Sequence, residues 1–234
     1  MTEVDALRGV AIIMMVAYHV LFDLSYFGLA QIGLFSPPLV LFQRGIGTLF
    51  LFLVGVSLAL SEARNKEGYL HHAKRGLLLV AVALAITLVT WVYPHEGFIT
   101  FGIIHLIALA TFVAPLFFGL GRANAFVGLL LIAAGLLVAG TEVQTPLLFW
   151  LGLPYPGYTA LDFYPVLPWL GVVLIGVAAG QIIYAEGKNR LRGKIAAWLD
   201  ALAYLGRRSL IIYLAHQIIL VGIILAYMKL ALGV

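Results

Sequence analysis

DALRGVAIIMMVAYHVLFDLSYF, residues Asp5–Phe27, decides the fold. The run is apolar for long enough to cross a bilayer as a helix, yet it carries Arg8, His19 and Asp23. Eleven positions separate Arg8 from His19, so the two differ by only ~20° around a helix axis and ~16 Å along it. Asp23 follows His19 by four and continues the same stripe one turn further. Ionisable groups inside a membrane segment are costly and face a cavity, a partner or a pathway. A cation, an imidazole and a carboxylate on one face of one membrane helix read as a working surface.

Composition places the rest of the chain in the same solvent. Hydrophobic residues are 63% of the 234 and charged residues only 10%, with a mean hydropathy of +1.08. A soluble domain needs far more polar surface. The absence of cysteine excludes disulfides, thiol nucleophiles and thiolate metal sites. No small-residue cleavage site follows the first apolar run, so no cleavable leader is expected. The expected fold is all-α: a polytopic transmembrane helix bundle of seven spans forming a single domain over residues 1–234. The spans fall roughly at Gly9–Leu29, Leu39–Ser61, Gly76–Tyr93, Phe98–Phe118, Ala125–Gly140, Tyr164–Tyr184 and Ser209–Met228. The fifth is short. Pro146–Leu161 is apolar but broken by Pro154, Pro156 and Gly157, and it reads as an interfacial or re-entrant loop.

Lysine and arginine set the expected orientation. A cytoplasmic N-terminus places Arg8, Arg64, Lys66, Lys74, Arg75, Arg122, Lys188, Arg190, Arg192, Lys194, Arg207 and Arg208 inside, leaving only Arg44 and Lys229 of the 14 basic residues elsewhere. The net charge of +4 is thus a topology signal and does not point to nucleic acid. With this orientation His19 lies near the middle of the bilayer. Asp23, Arg44 and His105 lie further out, and His216 and Gln217 lie near the level of His19. Asp162 and Tyr164 mark the outer mouth of the sixth helix, and Trp169 is counted with them in the polar layer offered to a substrate. Arg8, Lys74, Arg75, Arg207 and Arg208 ring the inner mouth. This arrangement describes a route across the membrane with chemistry in its middle.

Each of these features also has a plain structural explanation. Arg8 and the other basic residues serve as cytoplasmic anchors. His19, His105 and His216 bond neighbouring helices. Arg44 neutralises Asp23, an ion pair the matched depths predict. His71, His72 and His95 fall at helix ends or loops, where ordinary surface roles are expected. Asp23, four residues beyond His19, is expected to fix the tautomer of its imidazole and raise its basicity. His19, His105, His216 and Asp23 are permissible metal ligands, but nothing in their spacing demands a metal and none is expected.

Six stretches together resemble the catalytic domain of the heparan-alpha-glucosaminide N-acetyltransferase family, within the transmembrane acyltransferase superfamily. They are DALRGVAIIMMVAYHVLFDL (Asp5–Leu24), LFLFLVGVSLALS (Leu49–Ser61), KRGLLL (Lys74–Leu79), FGIIHLIAL (Phe101–Leu109), LDFYPVLPWLGVVLIG (Leu161–Gly176) and LGRRSLIIYLAHQ (Leu205–Gln217). Their order and the spacing of Arg8 and His19 carry the likeness, which spans nearly the whole chain. The resemblance implies acyl transfer across a cell membrane, from cytoplasmic acetyl-CoA to a glycan or other envelope acceptor on the far side. Homodimerisation is left open. Arg8 and the basic ring then suit the CoA phosphates, and ~16 Å resembles the reach of the pantetheine arm. His19 acts as nucleophile or as general base, with Asp23 orienting it. A proton- or ion-coupled transporter using the same polar layer is the rival. It calls for an internal repeat and paired broken helices, and the sequence shows neither.

Overall fold

The computed structural model describes residues 1–64, 68–184 and 197–233. Among the described residues, eight α-helices follow one another: α1 (Thr2–Tyr26), α2 (Pro37–Glu62), α3 (Tyr69–Val92), α4 (Ile103–Val113), α5 (Ala123–Val138), α6 (Val166–Tyr184), α7 (Ala197–Arg207) and α8 (Ser209–Tyr227). A 3-10 segment, Ala114–Leu120, extends α4, and a second, Pro146–Leu151, opens the broken loop before α6. Among the described residues there is no strand, only an isolated bridge between Phe101 and Phe163. The all-α membrane architecture expected from composition is the one observed.

Among the described residues, six apolar helical segments are long enough to cross a bilayer: Thr2–Tyr26, Pro37–Glu62, Tyr69–Val92, Ile103–Leu120, Val166–Tyr184 and Ser209–Ala231. The fifth expected span corresponds to α5, an apolar helix of 16 residues. At 1.5 Å per residue it measures ~24 Å against a ~30 Å hydrocarbon layer. Large apolar side chains stand exposed along α3 (Leu77, Leu84, Leu88) and α8 (Ile211, Ile218, Ile223). In water such surface would aggregate. In a bilayer it faces lipid. Lys66, Lys188, Arg190, Arg192 and Lys194, part of the charge bias, lie outside the described residues.

Contacts divide the chain into two compact units, Met1–Phe50 with Leu191–Val234, and Leu51–Arg190. In the first, α1 packs along α7 and α8. The α1–α7 approach depends on two glycines. A Cβ at Gly9 would overlap the carbonyl oxygen of Leu202, and one at Gly206 would overlap that of Asp5. Small residues let membrane helices come this close. α7 has no counterpart among the seven expected spans. Leu199, Leu202, Ala203 and Gly206 recur at i, i+3, i+4 and i+7, the signature of an amphipathic helix, and they form its less exposed side. Asp200 in its first turn and Arg207 in its last complement the helix dipole. Further along α1, Ile12 and Met15 pack with Ile46 in a cluster that includes Tyr18, Phe42, Ile212 and Tyr213.

In the second unit α3 packs on α4 and α5 on α6. Gly128 of α5 and Gly171 of α6 meet reciprocally, each carbonyl oxygen occupying the space a Cβ on the other would need.

Candidate functional site

α1 and α8 bring His19, Asp23, His216 and Gln217 into one cluster inside the first unit. The rings of His19 and His216 stand edge to face with centroids 4.7 Å apart. His216 is buried and His19 half-buried. Nδ1 of His216 lies 2.6 Å from the carbonyl oxygen of Tyr213. A carbonyl oxygen only accepts, so the His216 proton sits on Nδ1 and Nε2 carries the lone pair. That Nε2 is enclosed without a hydrogen-bond partner, and so is Nδ1 of His19.

Asp23, 1% exposed, accepts a 2.7 Å hydrogen bond at Oδ1 from Nε2 of Gln217. Its Oδ2 and the Oε1 of Gln217 are enclosed and unpartnered. Four buried polar atoms on two packed helices therefore await a partner. Each such atom costs ~1–3 kcal/mol, so a cluster of them marks a place kept for something other than stability.

Two expected contacts of Asp23 are not formed. Arg44 is exposed on α2, and no ion pair joins it to Asp23. Gln217 supplies a neutral donor to the carboxylate, which avoids taking a second charge out of water. Arg44 sits in the third turn of α2, near enough to its start for a long side chain to reach toward the membrane surface. Asp23 likewise bonds across to α8 and makes no hydrogen bond to His19, whose ring neighbour is His216.

The same unit gathers three of the five basic residues expected at one mouth. Nη1 of Arg8 bonds Oδ1 of Asp5 at 2.9 Å and the carbonyl of Gly206 at 3.4 Å. Arg207 and Arg208 follow Gly206 directly, and the guanidinium of Arg208 lies 3.7 Å over the ring of Tyr204. Lys74 and Arg75 belong to the second unit, exposed near the start of α3.

The remaining expected residues fall in the second unit, where their own hydrogen-bonding groups are engaged. Nδ1 of His105 accepts from the Gly102 N–H at 3.2 Å, which leaves its proton on Nε2, 3.0 Å from Oγ1 of Thr87. Thr87 in turn donates to the Ile99 carbonyl at 2.7 Å. His105 thus ties the start of α4 to α3. Oδ2 of Asp162 accepts from the Ile103 N–H at 2.8 Å, capping α4 from the loop before α6. Burial pushes this carboxyl up to about 6, and the Ile103 hydrogen bond opposes the rise. The Thr100 hydroxyl and the Tyr158 phenol share a 2.6 Å hydrogen bond. Burial also raises the Tyr158 pKa. Tyr164, buried, donates its N–H to the Phe101 carbonyl and packs its ring 4.8 Å from Trp169.

His72 departs from the surface role expected of it. It is 1% exposed, with Nε2 3.0 Å from Oε2 of Glu62. His72, Gly76, Leu79 and Ala83 are the buried residues of α3. Their spacing of four, three and four was the signal that His72 belongs to the packed stripe. Thr87, Thr100 and Tyr158 carried no such signal, because their partners lie on other elements. Among the described residues, no group of three or more His, Cys, Asp or Glu side chains is placed to hold a metal ion.

A multi-pass helical membrane protein whose paired imidazoles join two helices, one of which also carries a basic residue, is the class the structure defines. The model of the family described as heparan-alpha-glucosaminide N-acetyltransferase, catalytic, matches residues 1–218 of the 234. The chain belongs to that family, and with it to the membrane acetyltransferases. The matched stretch runs from α1 through His216 and Gln217 of α8. No curated protein and no solved structure matches the chain.

Proposed function

We propose that this chain, acting as one catalytic domain in the cell membrane, moves an acetyl group from cytoplasmic acetyl-CoA to an amine or hydroxyl of a sugar-like acceptor on the outer side. The observation that carries the reading is the His19–His216 pair with its unpartnered nitrogens, whose His19 shares α1 with Arg8, ~16 Å along the axis. CoA carries phosphates at one end and its thioester at the end of a long arm. Arg8, Arg207 and Arg208 supply the guanidinium groups that recognise phosphate. Lys74 and Arg75 remain candidates for the same task on the charge bias alone.

Nε2 of His19 takes the proton of the acceptor nitrogen or oxygen as that atom attacks the thioester carbon. The tetrahedral intermediate collapses, the C–S bond breaks, and the departing thiolate recovers the proton from His19. Asp23 stabilises the transient imidazolium through its field. Arg44, exposed on α2 in the first unit, is the further polar group from which an acceptor contact is sought. The family is named for a glucosaminide and for N-acetyl transfer, so a glucosamine amine is the first acceptor to try.

The test is transfer of radiolabelled acetyl from acetyl-CoA to D-glucosamine by detergent-purified protein. His19→Ala should abolish transfer while acetyl-CoA still binds. Transfer at the normal rate by this variant would overturn the proposal. Label trapped on the wild-type protein and absent from His19→Ala would replace direct attack by an acetyl-imidazole route.

A further inference from the structure

We infer that His216 is the positioning residue of His19: its Nε2 accepts the Nδ1 proton of His19, and so turns the Nε2 lone pair of His19 toward the reaction. The inference rests on the acetyltransferase reading of His19 and assigns the partner that reading leaves unfilled.

A neutral imidazole carries one proton, and only the other nitrogen works as a base. Reactive histidines are therefore held in one tautomer by a hydrogen-bond acceptor behind the ring, a task often given to a carboxylate. Here the nearby carboxylate is otherwise engaged. Asp23 spends Oδ1 on Gln217 and makes no bond to the ring four residues before it. What stands against His19 is a second imidazole, at 4.7 Å between centroids.

The state of that second imidazole is fixed by its own backbone. Tyr213, one turn earlier on α8, presents its carbonyl to Nδ1 of His216 at 2.6 Å and holds the proton there. Nε2 of His216 is left as a buried acceptor with nothing to accept from, and Nδ1 of His19 is a buried atom with nothing to bond. The two orphans are complementary if His19 is protonated on Nδ1. With the ring centroids 4.7 Å apart, a turn of the His19 ring toward His216 is all that pairing these two nitrogens asks, and the Tyr213 bond of His216 is left in place.

The proton balance follows. His19 starts neutral, with its proton on Nδ1 shared toward His216. During attack Nε2 takes the acceptor's proton, and the imidazolium keeps Nδ1–H directed at the His216 lone pair. The thiolate then removes the Nε2 proton, and both rings return to their starting state. His216 loses and gains nothing. Unlike a carboxylate, it brings no second charge into the membrane interior, where charge is costly.

The experiment reads the tautomer directly, without needing the acceptor. Nitrogen NMR of full-length protein carrying isotope-labelled histidine, in micelles at alkaline pH, should show His19 protonated on Nδ1. In His216→Phe it should revert to the Nε2-protonated form. In His216→Gln, whose amide oxygen is again an acceptor, Nδ1 protonation should return. Acetyl transfer to D-glucosamine should fall by roughly 10²-fold in His216→Phe through kcat, with KM for acetyl-CoA unchanged, and recover in part in His216→Gln. Nε2 protonation of His19 in the wild type overturns the inference even if no variant folds, and so does an unchanged tautomer in His216→Phe. Neither result touches the role of His19, which fails only if His19→Ala remains active.

Discussion

The cluster on α1 and α8 in the first unit and the cluster around the start of α4 in the second treat buried polar atoms in opposite ways. Along α1 and α8, Nδ1 of His19, Oδ2 of Asp23, Nε2 of His216 and Oε1 of Gln217 are sealed from solvent with no partner. Around the start of α4, His105 has a partner at each nitrogen, Asp162 caps Ile103, and Thr100 bonds Tyr158. From residue type alone the two sets look alike: each holds histidine and aspartate in or beside a membrane helix. The difference lies in what the fold has already spent. A satisfied network contributes to rigidity and has little left for a substrate. An unsatisfied one costs stability and keeps its hydrogen-bonding capacity in reserve. The second unit is not uniformly satisfied, since Nδ1 of His72 and Oδ1 of Asn124 also lack partners. The contrast belongs to the two clusters.

The largest expected effect tests whether reserve and function coincide. His19→Leu should lower acetyl transfer by at least about 10³-fold, within the range contributed by a positioned base. Its melting temperature in detergent should be equal to or above that of the wild type, because an orphaned polar atom has been removed. Loss of both rate and stability would put His19 with His105, among the residues that hold helices together, and the comparison would break there.

Arg8 is expected to come next. Charged hydrogen bonds contribute ~1.5–3 kcal/mol each, so Arg8→Ala should weaken acetyl-CoA binding by about one to two powers of ten. Dephospho-CoA should lose correspondingly less on the same substitution. Calorimetric titration with the two ligands checks both. Equal affinities for wild type and variant would return Arg8 to its contacts with Asp5 and Gly206 as a helix anchor.

Much of this was readable before any coordinates. The all-α membrane fold followed from apolar run lengths, because a bilayer allows few other ways to satisfy a backbone. The stripe on α1 was visible because Arg8, His19 and Asp23 share one helix, and their geometry is arithmetic. The partner of Asp23 was not. Arg44 and Gln217 are both able to donate to a carboxylate, and only tertiary placement selects the neutral one. α7 stayed hidden for another reason. It comes two residues after the strongly basic stretch Lys188–Lys194, and its 11 residues are too few to register as a span. His72 was misread because the Glu62 that meets it lies ten positions away, on another helix.

A third substitution probes the satisfied cluster from its backbone. Gly102 has φ −89°, which any residue adopts, but a Cβ there would overlap Oδ2 of Asp162. Gly102→Ala must therefore displace the carboxylate from the Ile103 N–H, at a cost of about 1–3 kcal/mol. A fall in melting temperature would confirm that this cluster is structural. An unchanged melt would mean that Asp162 has slack, and that the second unit resembles the first more than its hydrogen bonds indicate.

The smallest effect is a pH dependence at Asp162. Its carboxyl is pushed from the ordinary 3.8 up to about 6 by burial, with the Ile103 N–H opposing the rise. A folded chain that holds a proton more tightly than the unfolded chain is favoured by that group only while the proton is bound. The contribution is full below 3.8, is lost as pH rises through about 6, and is absent above it. Tyr158, also raised by burial from 10.0, stays neutral throughout this window and does not obscure it. Asp162→Asn keeps an acceptor for Ile103 and does not titrate. The melting temperature of the variant minus that of the wild type should therefore grow between the two pKa values and level off above the higher one. A difference that stays flat across that interval would show that the folded carboxyl titrates as it does in the unfolded chain. The α4 cap would then lie in a wetter setting than its hydrogen bonds imply, and the contrast between the two clusters would narrow to their partner counts.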